Sequence, residues 1–122
     1  MSVSGDLIVV GARSHDLPEF DAGAVYVYAR HEGGLENWGE VTKLSASDAE
    51  SNLEFGEAVA ISGAVIVAGA ATFRSYEGAA YVFQRNATGD WVESARLSLD
   101  DASSFDLFGD SVATSAGIAV IS

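Results

Sequence analysis

The chain repeats itself with a period of about 53 residues. The hexapeptide Phe-Gly-Glu-Ala-Val-Ala at 55–60 returns as Phe-Gly-Asp-Ser-Val-Ala at 108–113. Four segments recur in the same order, in pairs: 5–12 with 63–70, 23–28 with 78–83, 38–44 with 91–97, and 55–60 with 108–113. A fixed period of this length is typical of solenoids and propellers, in which one small structural unit is stacked on its neighbours.

Each repeat is predicted to form four short β-strands. In the one complete unit these are residues 55–62, 65–68, 79–85 and 91–97. The segments are rich in β-branched and aromatic residues and are bounded by Gly, Asn, Asp and Ser. No segment shows a helical apolar period. The sequence therefore predicts an all-β protein.

Some strands are apolar on both faces. Residues 7–10 (Leu-Ile-Val-Val) and 65–68 (Val-Ile-Val-Ala) do not alternate between apolar and polar. An antiparallel strand with one wet face should alternate, so these strands are expected to lie in sheets covered on both sides. Blades of a β-propeller have this environment, with the small-residue Phe-Gly strand near the central axis.

The predicted architecture is an incomplete β-propeller of four-stranded antiparallel blades, about two blades and part of a third. Residues 1–54 are interpreted as a partial blade with strands 2–4, residues 55–107 as a complete blade, and residues 108–122 as the start of the next. Such a set leaves apolar faces uncovered, so we expect further blades from a longer parent chain or from self-association.

Charge and composition exclude several classes of protein. The chain has 18 acidic and 6 basic residues, a net charge of −12, which argues against nucleic-acid binding and against attraction to anionic membranes. It has no cysteine, which excludes disulfides and thiol chemistry. Its apolar runs are too short to insert in a membrane or to serve as a signal peptide.

The recurring motifs resemble the FG-GAP repeat of integrin-α-type β-propellers, in the form found in large bacterial proteins. The resemblance rests on Phe-Gly…Val-Ala, then Gly-x-x-x-Val-x-Gly-Ala, then Gly-Ala-x-Tyr-Val-Phe, and a fourth strand that opens with Trp. It covers nearly the whole chain. It implies a non-catalytic propeller in a secreted or cell-surface protein that binds proteins or glycans, and some members of this family bind Ca²⁺.

Acidic connectors follow each fourth strand and form the first candidate site. Asp48 and Asp101 occupy matching positions in the two repeats, near further carboxylates such as Glu50 and Asp106. Recurrent Asp residues commonly accept backbone N–H bonds within a turn. Carboxylate oxygens are also ligands of Ca²⁺. The sequence therefore leaves two interpretations, a structural turn or a calcium site at Asp48 and Asp101.

The loops between the second and third strands form the second candidate site. They contain aromatic residues beside arginines, the two types that contribute most to interface energetics. The candidate binding residues are Arg13, Phe20, Phe73, Arg74 and Tyr76. Loops on a rigid scaffold commonly carry binding residues, although an ordinary solvated loop has the same composition.

Other motifs are given structural interpretations. Trp38 and Trp91 open equivalent strands and are expected to pack between blades. His15 and His31 show no catalytic or metal-binding spacing, and Asn86-Ala87-Thr88 is interpreted as a turn. The expected function is a binding or scaffold module; the alternatives are a Ca²⁺-dependent adhesion module and an accessory propeller of a larger extracellular enzyme.

Overall fold

The computed structural model describes residues 1–12, 23–30, 38–46, 54–70, 78–98, 112–115 and 118–121. In these ranges all regular secondary structure is β. The strands are β1 (Ser2–Ser4), β2 (Leu7–Ala12), β3 (Ala24–Arg30), β4 (Trp38–Leu44), β5 (Val59–Ser62), β6 (Val65–Ala70), β7 (Ala79–Arg85), β8 (Trp91–Leu97), β9 (Val112–Ser115) and β10 (Ile118–Ile121).

The strands form three sheets in chain order. The first sheet has the order β1-β2-β3-β4 and the second β5-β6-β7-β8, while β9 and β10 form a two-stranded third sheet. All neighbouring strands are antiparallel. This arrangement confirms the prediction of an all-β protein built from four-stranded, propeller-type blades.

The first sheet contains a strand that the sequence analysis did not predict. Strand β1 pairs with β2 through Ser2–Val9, Val3–Ile8 and Ser4–Leu7. Residues 1–44 thus form all four strands of a blade, rather than strands 2–4 alone. The tight turn at Gly5 has a φ of 56°, the same as the turn at Gly63 in the second sheet. The strand was missed because three residues with two serines give too weak a pattern.

The two four-stranded sheets repeat each other in detail. The pairing of β3 with β4 shifts register between Val27 and Tyr28, and the pairing of β7 with β8 shifts between Val82 and Phe83. The fourth strand begins at a tryptophan in both sheets, as predicted. The 53-residue period therefore encodes strand register and bulge position as well as strand order.

The main core lies between the first and second sheets. Val9, Val25 and Val27 of the first sheet are fully buried, and they belong to one cluster with Ile66 and Tyr81 of the second. The opposite face of the second sheet is buried as well, since Val67 and Ala80 are also 0% exposed. Burial on both faces, predicted from the non-alternating strands, is confirmed for the second sheet.

The Phe-Gly dipeptide connects the two sheets through backbone contacts instead of starting a strand. The sequence pattern predicts a strand from residue 55 onward, but β5 begins at Val59 and Phe55 makes an isolated parallel bridge to Gly23 of the first sheet. Gly56 has a φ of 93°, which turns the chain before β5. Its N–H donates to the Gly69 carbonyl at 3.0 Å, so the turn is held by the second sheet.

The first strands of successive sheets lie side by side. Strand β1 lies beside β5, and β5 lies beside β9. Two serine hydroxyls of β1 accept backbone hydrogen bonds from the second sheet: Ser2 Oγ from the Ile61 N–H at 3.2 Å, and Ser4 Oγ from the Gly63 N–H at 3.1 Å. This is the arrangement expected where propeller blades converge, with the Val-Ala-Ile-Ser strand innermost.

Candidate functional site

All the candidate site residues selected from the sequence lie outside the described part of the chain. These are Arg13, Phe20, Asp48, Phe73, Arg74, Tyr76 and Asp101. The calcium and loop-binding interpretations therefore stay predictions. The structure describes the strands to which these segments connect.

The connections that carry these residues leave from one edge of the sheets, called here the connector edge. It is defined by the paired strand ends Ala12 with Ala24 and Ala70 with Ala79. The connector from β4 to β5 reaches the same edge, because Phe55 bridges to Gly23 there. The described strand ends that flank these segments thus lie at one end of the two sheets.

A groove lies between the outer strands of the two four-stranded sheets. It has a volume of about 310 Å³ and is lined by Val41 and Thr42 of β4 and by Gly89, Asp90 and Trp91 at the start of β8. We call it the outer groove. The β7–β8 hairpin that forms one wall joins the ends of the strands opposite the connector edge.

The hairpin wall is held in shape by the Asn86 side chain together with Arg85, whose Nε–H donates to the Gly89 carbonyl at 3.2 Å. Asn86 Oδ1 accepts hydrogen bonds from the Thr88 N–H at 3.1 Å, the Thr88 hydroxyl at 2.7 Å and the Asp90 N–H at 2.9 Å. The Asn86 N–H donates to the Asp90 carbonyl at 2.8 Å. This network confirms that Asn86-Ala87-Thr88 forms a turn, and it fixes the backbone that presents Gly89 and Asp90 to the groove.

Trp91 forms the apolar wall of the outer groove. It is half-buried and packs against the core between the sheets, as predicted. The equivalent Trp38 is 40% exposed and instead lies 5.4 Å from the Arg30 guanidinium, in a cation–π contact. Arg30 also pairs with Asp6, with Nε and Oδ1 3.6 Å apart. The packing role predicted for both tryptophans therefore applies to Trp91 and not to Trp38.

The lining of the outer groove combines apolar and hydrogen-bonding groups. Val41 is 42% exposed, and Trp91 adds part of its indole surface. The exposed Asp90 carboxylate lies 3.2 Å from the Thr88 hydroxyl, whose one proton is shared with the nearer Asn86 Oδ1, so it keeps acceptor capacity for a ligand. An aromatic wall beside a carboxylate suits a ligand unit with one apolar face and several hydroxyl or amide donors, such as a sugar ring or a peptide side chain.

The residues that line this groove share no sequence motif. Val41 and Thr42 are separated from Gly89 by more than 40 residues in the chain. They approach each other only because the first and second sheets stack. Trp91 was the one member with a sequence signal, and its recurrence indicated packing, which is part of its role.

No group of three or more His, Asp or Glu side chains suited to a metal ion occurs among the described residues. The same part of the chain contains no helix long and apolar enough to cross a membrane.

The stacked four-stranded sheets, the repeated bulge and the Phe-Gly contact between the sheets define a propeller-type repeat protein. A family model for the FG-GAP repeat matches residues 1–28 and 38–83, which is more than half of the chain. The chain belongs to the FG-GAP repeat family, as its motifs indicated. No curated protein matches it.

Proposed function

We propose that this chain is a non-catalytic β-propeller binding module that contacts a protein or glycan partner outside the cell. The observation that carries the proposal is the outer groove, an open cleft of about 310 Å³ with Trp91 and Asp90 side by side in its lining. Ligand sites in proteins combine apolar and aromatic walls with a few polar groups that orient the ligand, and this lining has both.

The walls of the groove support this proposal because they are held before any ligand arrives. Asn86 fixes the hairpin through three accepted hydrogen bonds, and Trp91 is anchored in the core between the sheets. A preformed site loses little conformational entropy on binding, so a small contact area suffices for measurable affinity.

The extracellular setting is supported by family membership, since FG-GAP repeats are often found in extracellular proteins. The loops with Arg13, Phe20, Phe73, Arg74 and Tyr76 supply a second contact region in this proposal.

The test is a screen of the purified chain against a glycan array and an extracellular protein library, followed by affinity measurements on variants. Asp90→Ala should weaken binding at the groove at least tenfold, because it removes the exposed carboxylate acceptor. The control is Asp6→Ala, which removes the same charge from an exposed side chain outside the groove. It should leave the affinity unchanged.

Two results would contradict this proposal. If Asp90→Ala and Asp6→Ala bind alike while Phe20→Ala and Tyr76→Ala lose binding, the partner site is at the connector edge and not in the groove. Turnover of a bound glycan by the purified chain, lost in the Asp90→Ala variant, would show a catalytic role instead.

A further inference from the structure

One face of the first sheet has an apolar centre that is only partly covered, and we call it the open face. Strand pairing places Glu40 and Lys43 of β4 at its margin and five apolar or aromatic side chains of β1, β2 and β3 at its centre: Val3, Ile8, Val10, Tyr26 and Tyr28. Val3 is 58% exposed, and the other four are half-buried. The opposite face, with Val9, Val25 and Val27, is fully buried against the second sheet.

The same five positions are buried in the second sheet. By repeat position and strand pairing, the equivalents of the open-face residues are Ile61, Ile66, Ala68, Tyr81 and Phe83. These residues are 0–5% exposed. They are covered by the Val9 face of the first sheet. The protein itself therefore shows what covers such a face: the opposite face of another sheet of the same kind.

The third sheet offers that complementary face. In β9, Val112 and Thr114 are half-buried and Ala113 is exposed. Strand β9 lies against β5 and β6, so the exposed Ala113 is on the side away from the second sheet. Ala113 pairs with Val120, as Ser2 pairs with Val9 in the first sheet. Both pairs occupy the same repeat position.

We propose that a second copy of this chain docks head to tail, with its third sheet against the open face of the first sheet. The contact would repeat the one already formed between the first and second sheets. In that contact Ser4 Oγ accepts from the Gly63 N–H. The inference is independent of ligand binding at the outer groove.

A head-to-tail contact uses two different surfaces of each copy, so it extends into rings or open chains rather than stopping at a symmetric dimer. Each copy carries a net charge of −12, which opposes association at low salt. Because salt screens charge and leaves apolar burial intact, association should strengthen as NaCl is raised.

The experiment is light scattering after size-exclusion chromatography of the full 122-residue chain, over a hundredfold range of concentration in 0.5 M NaCl (about a 4 Å screening length). We expect a mass that rises with concentration. Val3→Glu and Ala113→Glu should each weaken association at least tenfold. Val92→Glu is the matched control, because Val92 is 50% exposed on β8, away from both faces.

Mixing the two variants separates head-to-tail docking from other modes. Val3→Glu keeps an intact third sheet and Ala113→Glu keeps an intact open face, so a mixture should form 1:1 dimers that grow no further. If Val3→Glu loses association while Ala113→Glu keeps it, the contact is a symmetric one between open faces, and the proposal is overturned. A folded wild-type chain that stays monomeric at every concentration would also overturn it. If circular dichroism shows that a glutamate variant is unfolded, Val3→Ser and Ala113→Lys replace them under the same criteria.

Discussion

The carbonyl oxygen of Gly56 lies directly against the α-carbon of Gly11, which belongs to the neighbouring sheet. A β-carbon at position 11 would overlap this oxygen and the carbonyl carbon beside it. The contact brings backbone to backbone between the two sheets, next to the bridge between Phe55 and Gly23. It explains the glycine at position 11. At position 56, glycine is required by the φ of 93° and by the Ala24 carbonyl oxygen, which a β-carbon would approach to 2.6 Å.

Gly11→Ala should therefore destabilise the protein by about 3 kcal/mol, the upper part of the usual range for overpacking. The added methyl group meets backbone, which cannot move aside as a flexible side chain would. The measurement is the free energy of unfolding from urea titration followed by circular dichroism.

Gly5→Ala is the matched control for that substitution. Gly5 has open space around it but a φ of 56°, so an added methyl group meets strain without a clash. We expect a loss of about 1 kcal/mol. If Gly5→Ala costs as much as Gly11→Ala, the close approach of the sheets at Gly11 is not what makes glycine necessary there.

Phe55→Ala should cost about 3–5 kcal/mol, since Phe55 is fully buried. Its ring meets Tyr81 edge-on at 5.3 Å and Phe83 at 5.9 Å between centroids. Phe55→Leu keeps most of the volume and should cost less than about 1.5 kcal/mol. Chemical denaturation of both variants checks this order, and equal losses would show that volume is not the deciding quantity.

Ser2→Ala and Ser4→Ala should each cost about 1 kcal/mol, because each removes one hydrogen bond to the second sheet. The amides of Ile61 and Gly63 should also exchange faster with solvent deuterium. Ser94→Ala is the control, because the Ser94 hydroxyl donates to the Val82 carbonyl within its own sheet. Unchanged exchange at Ile61 and Gly63 would contradict a bridging role for the β1 serines.

Asn86→Ala should cost about 1 kcal/mol, since Oδ1 caps the β7–β8 hairpin but water can replace part of the lost bonding at an exposed site. Ala87→Ser, in the same turn, should be neutral. Urea titration gives the free energies, and the exchange rate of the Asp90 amide reports the hairpin. An unchanged Asp90 rate in Asn86→Ala would show that the side chain does not hold the turn.

Calcium should leave the melting temperature unchanged, because recurrent Asp residues in short connectors are more commonly turn residues than metal ligands. The measurement is thermal unfolding with EDTA and with millimolar Ca²⁺. A ligand at 100 times its Kd adds about 2.7 kcal/mol, a shift of roughly 10 °C or more for a domain of this size. A shift of that size, absent in Asp48→Ala and Asp101→Ala, would instead place a calcium site at the connectors.

The sequence predicted most strand positions because each rests on a local pattern. Trp38 and Trp91 mark the starts of the fourth strands, and the turn at Gly63 separates β5 from β6. The Phe-Gly segment departs from this rule. Its apolar residues are typical of a strand, but the chain turns at Gly56, where the backbone packs against Gly11. A contact between sheets overrode the local preference.

The candidate sites also divide into those that a local sequence pattern indicates and those that only the packing of sheets creates. Composition drew attention to the loops and acidic connectors, which are rich in charged and aromatic residues. The outer groove carries no such pattern, because Val41 and Asp90 become neighbours only when two sheets stack. No sequence window contains both.

The sequence by itself determined the repeat, the strand order and the family, because the 53-residue period fixes which residues pair within a sheet and which face is apolar. Only the tertiary structure decided how the sheets meet. The Gly11–Gly56 approach, the serine bonds from β1 and the outer groove all join residues from different repeats. Their geometry depends on the packing distance between sheets, which side-chain volume and backbone contact set together.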